Sequence, residues 1–171
     1  MTSYVVDNGY VDASVQKGGI PGLPGSIEHT IDISQLIKEA KETRGDLAVI
    51  WMDLANGYGS VPHKLIETVL EHYHIPEKTA RIVRDYLERI HLRFRVGDYI
   101  TSWQRLEKGI VTGCTISVIM FVMAMNFMIE AGKRETRVPK TKADIRQPPG
   151  RDFMDDVTIT TTTHLQARWV L

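Results

Sequence analysis

Two adjacent carboxylates, Asp155 and Asp156, interrupt the run Arg151-Asp152-Phe153-Met154-Asp155-Asp156-Val157-Thr158-Ile159-Thr160. Asp is disfavoured in strands, yet β-branched residues resume directly after the pair, which predicts a β-hairpin with acids at its tip. Adjacent carboxylates repel, so holding both at a turn serves chemistry chiefly when a cation sits between them and a third group. Taken alone, the pair fits a solvated turn equally well. A third acid is supplied by Asp53, which ends the apolar run Leu47-Ala48-Val49-Ile50-Trp51-Met52. That run predicts a strand buried on both faces. If the two strands lie side by side in one antiparallel sheet, Asp53 and the pair converge at one edge. Three carboxylates so placed suit two Mg²⁺ (or Mn²⁺) ions roughly 3.5–4 Å apart, an arrangement that serves phosphoryl transfer.

The elements that must position these acids follow from pattern. Residues 1–15 mix polar and small residues without period and are expected to be irregular and to pack little. Gln16-Lys17-Gly18-Gly19-Ile20-Pro21-Gly22-Leu23-Pro24-Gly25-Ser26 carries four Gly and two Pro, which force a turning backbone. Ser26 is placed to cap a helix with an apolar stripe of Ile27, Ile31, Ile33, Leu36, Ile37 and Ala40, ended by Gly45. After Asp53 the chain turns, and helices are expected to start near Pro62 and Pro76. Alternation from His91 to Leu106 around Gly97-Asp98 predicts a hairpin. Lys108 to Thr115 is a second glycine-bearing loop, Ser117 to Ala131 a mostly buried helix, and Gly132 to Gly150 a connection into the Asp-Asp hairpin.

The charges balance, with 21 basic against 21 acidic residues, so any affinity for polyanions has to come from local patches. One such patch runs from Lys133 to Arg151, with Lys133, Arg134, Arg137, Lys140, Lys142, Arg146 and Arg151 against Glu135 and Asp144; a solvated loop is the other reading. A single cysteine, Cys114, excludes an intramolecular disulfide framework and a thiolate metal site. Met1 to Tyr10 shows no secretory signal, and the apolar run Ile116 to Ile129, broken by Ser117 and Asn126, is too short to span a bilayer. An intracellular protein with no membrane partner is expected.

In this order the motifs resemble the reverse transcriptase family, most closely those of non-LTR retroelements, over roughly residues 16 to 160. Gln16 to Gly22 is similar to its glycine-bearing fingers segment, Trp51-Met52-Asp53-Leu54-Ala55-Asn56-Gly57-Tyr58-Gly59-Ser60-Val61-Pro62-His63 to motif A, Gly109-Ile110-Val111-Thr112-Gly113-Cys114-Thr115-Ile116-Ser117 to motif B, and Phe153-Met154-Asp155-Asp156 to motif C. Motif A usually has Ala, an aromatic residue and a second Asp where this chain has Gly57, Tyr58 and Gly59. Motif B usually has Pro-Gln where Val111-Thr112 stand.

The resemblance implies an α+β fold, a palm-like antiparallel sheet backed by helices with part of the fingers over residues 16–171. It implies RNA-directed DNA polymerisation with Mg²⁺ (or Mn²⁺), an RNA or DNA template-primer and deoxynucleoside triphosphates as partners. Asp53, Asp155 and Asp156 become the catalytic, metal-holding acids. Leu54 and Tyr58 become nucleotide-binding, with the Tyr58 ring excluding a 2′-hydroxyl, and Gln16, Gly109, Thr112 and Gly113 template-binding. It further implies that a thumb and more of the fingers come from a further segment or a partner chain, so that this stretch acts weakly alone. The alternative is a catalytically inactive nucleic-acid-binding or interaction remnant of such a domain. An unrelated Mg²⁺ phosphohydrolase would require the glycine loops to be coincidental.

Overall fold

Sheet register, more than any single helix, sets where the acids go. The computed structural model describes residues 1–23 and 25–170, with all their side chains except those of Glu135, Trp169 and Val170. In chain order the elements are α1 (Thr2–Asp7), α2 (Ile27–Thr43), β1 (Ala48–Asp53), α3 (Gly57–Ser60), α4 (His63–His72) and α5 (Glu77–Arg89). They continue with β2 (His91–Leu92), β3 (Arg95–Val96), β4 (Tyr99–Ile100), β5 (Gln104–Arg105), α6 (Thr115–Glu135), β6 (Gly150–Phe153), β7 (Asp156–Thr161) and α7 (His164–Val170). β1, β7 and β6 form one antiparallel sheet in that order, while β2 pairs β5 and β3 pairs β4 in a hairpin turning at Gly97-Asp98. The fold is α+β, a palm-like sheet backed by helices, as expected.

Alternation divides the sheet faces. Ile50 pairs with Ile159 and Met52 with Val157, and these four pack into the core with α6. The opposite parity sends Trp51 outward, 67% exposed. This corrects the expectation of a strand buried on both faces: the face that carries Trp51 is uncovered there, and an uninterrupted apolar run does not by itself show that both faces are covered. β7, between its two neighbours, is the central strand.

α6 is apolar all round because it is surrounded. Ile119 to Met125 are buried without a break, against α4 through Ile66, Val69 and Leu70 and with Val83 and Leu87 of α5 in the same core. By length and composition α6 would suffice to cross a membrane, contrary to the length read from the run Ile116 to Ile129; more than half of that segment is buried in the fold, as in a core helix. Pro62 and Pro76 cap the starts of α4 and α5 in extended conformation. α2 departs from its expected stripe. His29, Ile33 and Leu36 face inward while Ile27 and Ile31 are exposed, and Ser26 makes no side-chain cap.

The first fifteen residues pack more than their pattern predicts. Val5, Val11 and Val15 are buried, and Asn126 of α6 accepts the Asp12 N–H (3.1 Å) while donating to the Tyr10 carbonyl (3.0 Å) and the Tyr73 hydroxyl (2.8 Å). Val5 is carried by the short helix α1, which corrects the expectation of an irregular segment, while Val11 and Val15 reach the core from irregular backbone, so no period announces them. The basic connection is also largely neutralised. Lys133 pairs with Asp12, Lys140 with Asp144, Lys142 with Glu42, and Arg151, itself buried, lies 3.6 Å from Asp32.

Beside that arginine, Asp152 is fully buried, joined to the N-terminal segment by its N–H to the Val15 carbonyl (2.8 Å) and by the Lys17 N–H to its own carbonyl (3.0 Å). Its Oδ1 has no hydrogen-bond partner, and burial pushes the carboxyl up to about 8. An unfolded chain releases that proton near pH 4, so between about 4 and 8 the folded form binds more protons and stability falls as pH rises, by at most roughly 1.4 kcal/mol per pH unit. Asp152→Asn should flatten this part of the profile and leave stability at pH 5 little changed. Urea unfolding at pH 5, 6 and 7.5 checks it; parallel profiles for the two proteins would refute the assignment.

Candidate active site

The hairpin β6–β7 turns through Met154 and Asp155, with Phe153 paired to Asp156. Met154 takes φ +60°, a conformation that costs a non-glycine residue about 1–2 kcal/mol and needs support from its surroundings. On the neighbouring strand Asp53 lies directly opposite Asp156, so both acids share the face that the core pairs do not use. Both are exposed, and among the described residues neither makes a salt bridge or a side-chain hydrogen bond. Asp155, in the turn, is held through its backbone: the Leu54 N–H donates to its carbonyl at 3.1 Å. Leu54 is half-buried, with its side chain packed against the core.

The turn after Asp53 reaches the same tip. A Cβ at Gly57 would stand 3.2 Å from the Asp155 Cβ and 3.3 Å from the Phe121 ring, so the smallest residue lets the turn pass between them. Tyr58 follows, its ring stacked on Phe121 with centroids 4.6 Å apart and planes 3° from parallel. Burial, and then the nearby Asp155 charge, raises the Tyr58 hydroxyl above its ordinary pKa.

The second glycine-bearing loop is bonded onto that turn. The Ile110 N–H donates to the Tyr58 carbonyl and the Gly109 N–H to the Val61 carbonyl, both at 2.8 Å, and the Gly109 carbonyl lies 2.8 Å from His63 Nε2. Gly109, at φ +88°, lies so close to the turn that a Cβ would stand 2.6 Å from the Gly59 carbonyl oxygen. Gly109 is therefore buried packing against backbone, which corrects its expected place in template contact. Thr112 and Gly113 are exposed at the loop's outer end. Cys114 caps α6 from a half-buried position, its thiol pKa lowered first by the Tyr86 hydroxyl.

Gln16 is also displaced from its expected role. It is 0% exposed, its Oε1 accepts the Gly18 N–H (2.9 Å), and its backbone bridges Asp152. A side chain so enclosed is not a template contact. Sequence reasoning passed over Phe121, which looks like any core aromatic, and His63, whose partner is a carbonyl 46 residues away.

Carboxylate oxygen is the donor type that Mg²⁺ and Mn²⁺ take, so the chemistry of Asp53, Asp155 and Asp156 fits such ions. The register brings Asp53 and Asp156 together and leaves Asp155 at the turn beside Gly57 and Tyr58. Among the described residues no three His, Cys, Asp or Glu side chains stand close enough to hold a metal by themselves.

No curated protein matches the chain significantly. The family model described as reverse transcriptase (RNA-dependent DNA polymerase) matches residues 14–170, a span that takes in the N-terminal glycine loop, the turn after Asp53, the loop before α6 and the acid hairpin. With its motifs on adjoining strands and loops of one palm-like sheet, the chain belongs to the reverse transcriptase family.

Proposed function

We propose that the chain carries the nucleotidyl-transfer centre of a non-LTR retroelement reverse transcriptase, with Asp53, Asp155 and Asp156 holding two Mg²⁺ or Mn²⁺ ions. The observation that supports this most is the Asp53–Asp156 pairing at the open end of β1 and β7. Like charges directly opposite in a sheet cost roughly 0.2–1 kcal/mol, a cost that a bound cation would convert into affinity. Bound ions would neutralise the triphosphate and activate the primer 3′-hydroxyl for attack on the α-phosphorus, with pyrophosphate leaving. The acids would hold such ions through carboxylate oxygens alone, and substrate phosphates would supply further oxygen donors. Tyr58, its ring backed by Phe121, presents a rigid surface that excludes a 2′-hydroxyl. Leu54 lies along the nucleotide, and Thr112 and Gly113 offer an exposed edge to the template strand.

A second reading, a non-catalytic nucleic-acid-binding remnant, is favoured by the absence of a ready-made three-acid cluster among the described residues. Metal response separates the two. Mn²⁺ at 100 times its Kd should stabilise the folded chain by about 2.7 kcal/mol and raise Tm by several degrees. Asp53→Asn should abolish that shift while raising the metal-free Tm slightly, because it removes the opposed charge; Asp155→Asn should abolish it too. Differential scanning calorimetry with and without Mn²⁺ reads both signs. A wild-type chain indifferent to Mn²⁺ leaves the remnant reading standing.

For substrate choice, Tyr58→Ala should narrow the preference for deoxynucleoside over ribonucleoside triphosphates by at least tenfold in Mn²⁺-dependent binding, since exclusion by bulk ends with the ring. Equal discrimination by both proteins would remove Tyr58 from the nucleotide site. Primer extension on an RNA template, compared with the Asp155→Ala, Asp156→Ala double variant, tests the activity itself; weak synthesis that depends on the acids is expected.

A further inference from the structure

The loop Gln16–Gly19 touches the acid hairpin at the one residue that is strained. A Cβ on Gly18 would stand 2.5 Å from the Met154 backbone nitrogen and 2.7 Å from its Cγ. Gly19, at φ +70°, leaves equally little space: its Cβ would meet Val118 at 2.8 Å and both the Met154 sulfur and Val122 at 3.0 Å. The loop cannot slide away, because Gln16 Oε1 holds the Gly18 N–H and Gln16 bridges Asp152, two residues ahead of Met154 on β6. The contacts therefore close a circuit from Gln16 through Asp152, Phe153, Met154 and Gly18 back to Gln16.

We propose that Gln16, Gly18 and Gly19 are positioning residues that clamp Met154 in its left-handed conformation and thereby fix where Asp155 lies. Met154 suits the grip, since an unbranched thioether fills an irregular gap between two glycines and α6. The other side of Asp155 is held by the Leu54 N–H and by the passage of Gly57. The tip is thus held from two sides by segments far apart in the chain. The functional weight of the clamp rests on reading Asp155 as a metal-holding acid, while the clamp itself rests on contacts alone.

The test uses the full 171-residue chain with ¹³C-methyl methionine, the Met154 signal being assigned through its loss in Met154→Leu. Gly18→Ala should shift the Met154 methyl resonance and weaken its Mn²⁺-induced broadening at least tenfold in apparent affinity. Gly25→Ala, at a position of the same loop where a Cβ meets nothing within 4 Å, should change neither. An unmoved Met154 methyl in a folded Gly18→Ala protein overturns the clamp. A shifted methyl in the variant, with no Mn²⁺ broadening in the wild type, upholds the clamp and refutes the metal reading.

Should Gly18→Ala fail to fold, Met154→Gly serves, because glycine accepts φ +60° without strain. It should move the Gly18 and Gly19 amide resonances and lower Mn²⁺ affinity, while Met154→Leu, which refills the gap, retains it. A role in stability alone would change Tm and leave the metal titration of the folded protein untouched. Met154→Gly with unmoved glycine amides overturns the proposal.

Discussion

Everything at this site depends on the register between β1 and β7. Met52 opposite Val157 and Ile50 opposite Ile159 place four apolar side chains on the face that α6 covers. Each contributes on the order of 1.5–3 kcal/mol when fully buried, so even their partial burial outweighs the roughly 0.2–1 kcal/mol that opposed like charges cost. The core therefore sets the pairing, and Asp53 and Asp156 are carried into opposition as a consequence. A slip of one residue would turn the apolar set outward and the acids inward, which burial forbids. The charge repulsion is tolerated at the sheet's end, where solvent screens it.

Asp155 is governed differently. It belongs to a two-residue turn rather than to a ladder, so strand pairing fixes its ends and leaves its own position to neighbours. The turn after Asp53 and the loop before Gly19 supply them. The same turn carries Tyr58, whose ring lies flat on Phe121, and Phe121 comes from the helix that backs the sheet. One helix thus supports the sheet face behind the acids and the ring beside them. A displacement of α6 would reach Tyr58 through Phe121 and Gly19 through Val118 and Val122.

The local features were legible in the sequence. The apolar run ending in Asp53, the helix starts after Pro62 and Pro76, the Gly97-Asp98 turn and the acid hairpin all carry short-range signals, and the motif order carried the family. What pattern could not carry were pairings between distant segments. Gln16 sits opposite Asp152, 136 residues on, and its burial follows from that bridge rather than from its neighbours. Gly109 looked like a loop free to approach a ligand, but its close approach is to Gly59. The basic run from Lys133 to Arg151 looked like a surface patch, yet Lys133 and Lys142 reach acids in other elements and Arg151 lies beneath α2 beside Asp32. Trp51 is outward because its parity puts it on the sheet face opposite the core that α6 covers, a fact that belongs to the packing of the sheet.

The departures from the usual motif A acquire a physical meaning in this setting. At Gly57 even an alanine would press its Cβ to 3.2 Å from that of Asp155 and 3.3 Å from Phe121, so the neighbours would have to yield by a few tenths of an ångström. Glycine there lets Tyr58 settle flat on Phe121 while Asp155 keeps its place. At Gly59 the second acid is absent, and the Gly59 backbone instead receives Gly109. Each substitution exchanges a side chain for a close contact between segments. In this chain Gly18 passes close to Met154 and Gly57 close to Asp155, whereas Gly109 meets the Gly59 backbone, so a residue larger than glycine at the first two positions presses on the acid turn itself.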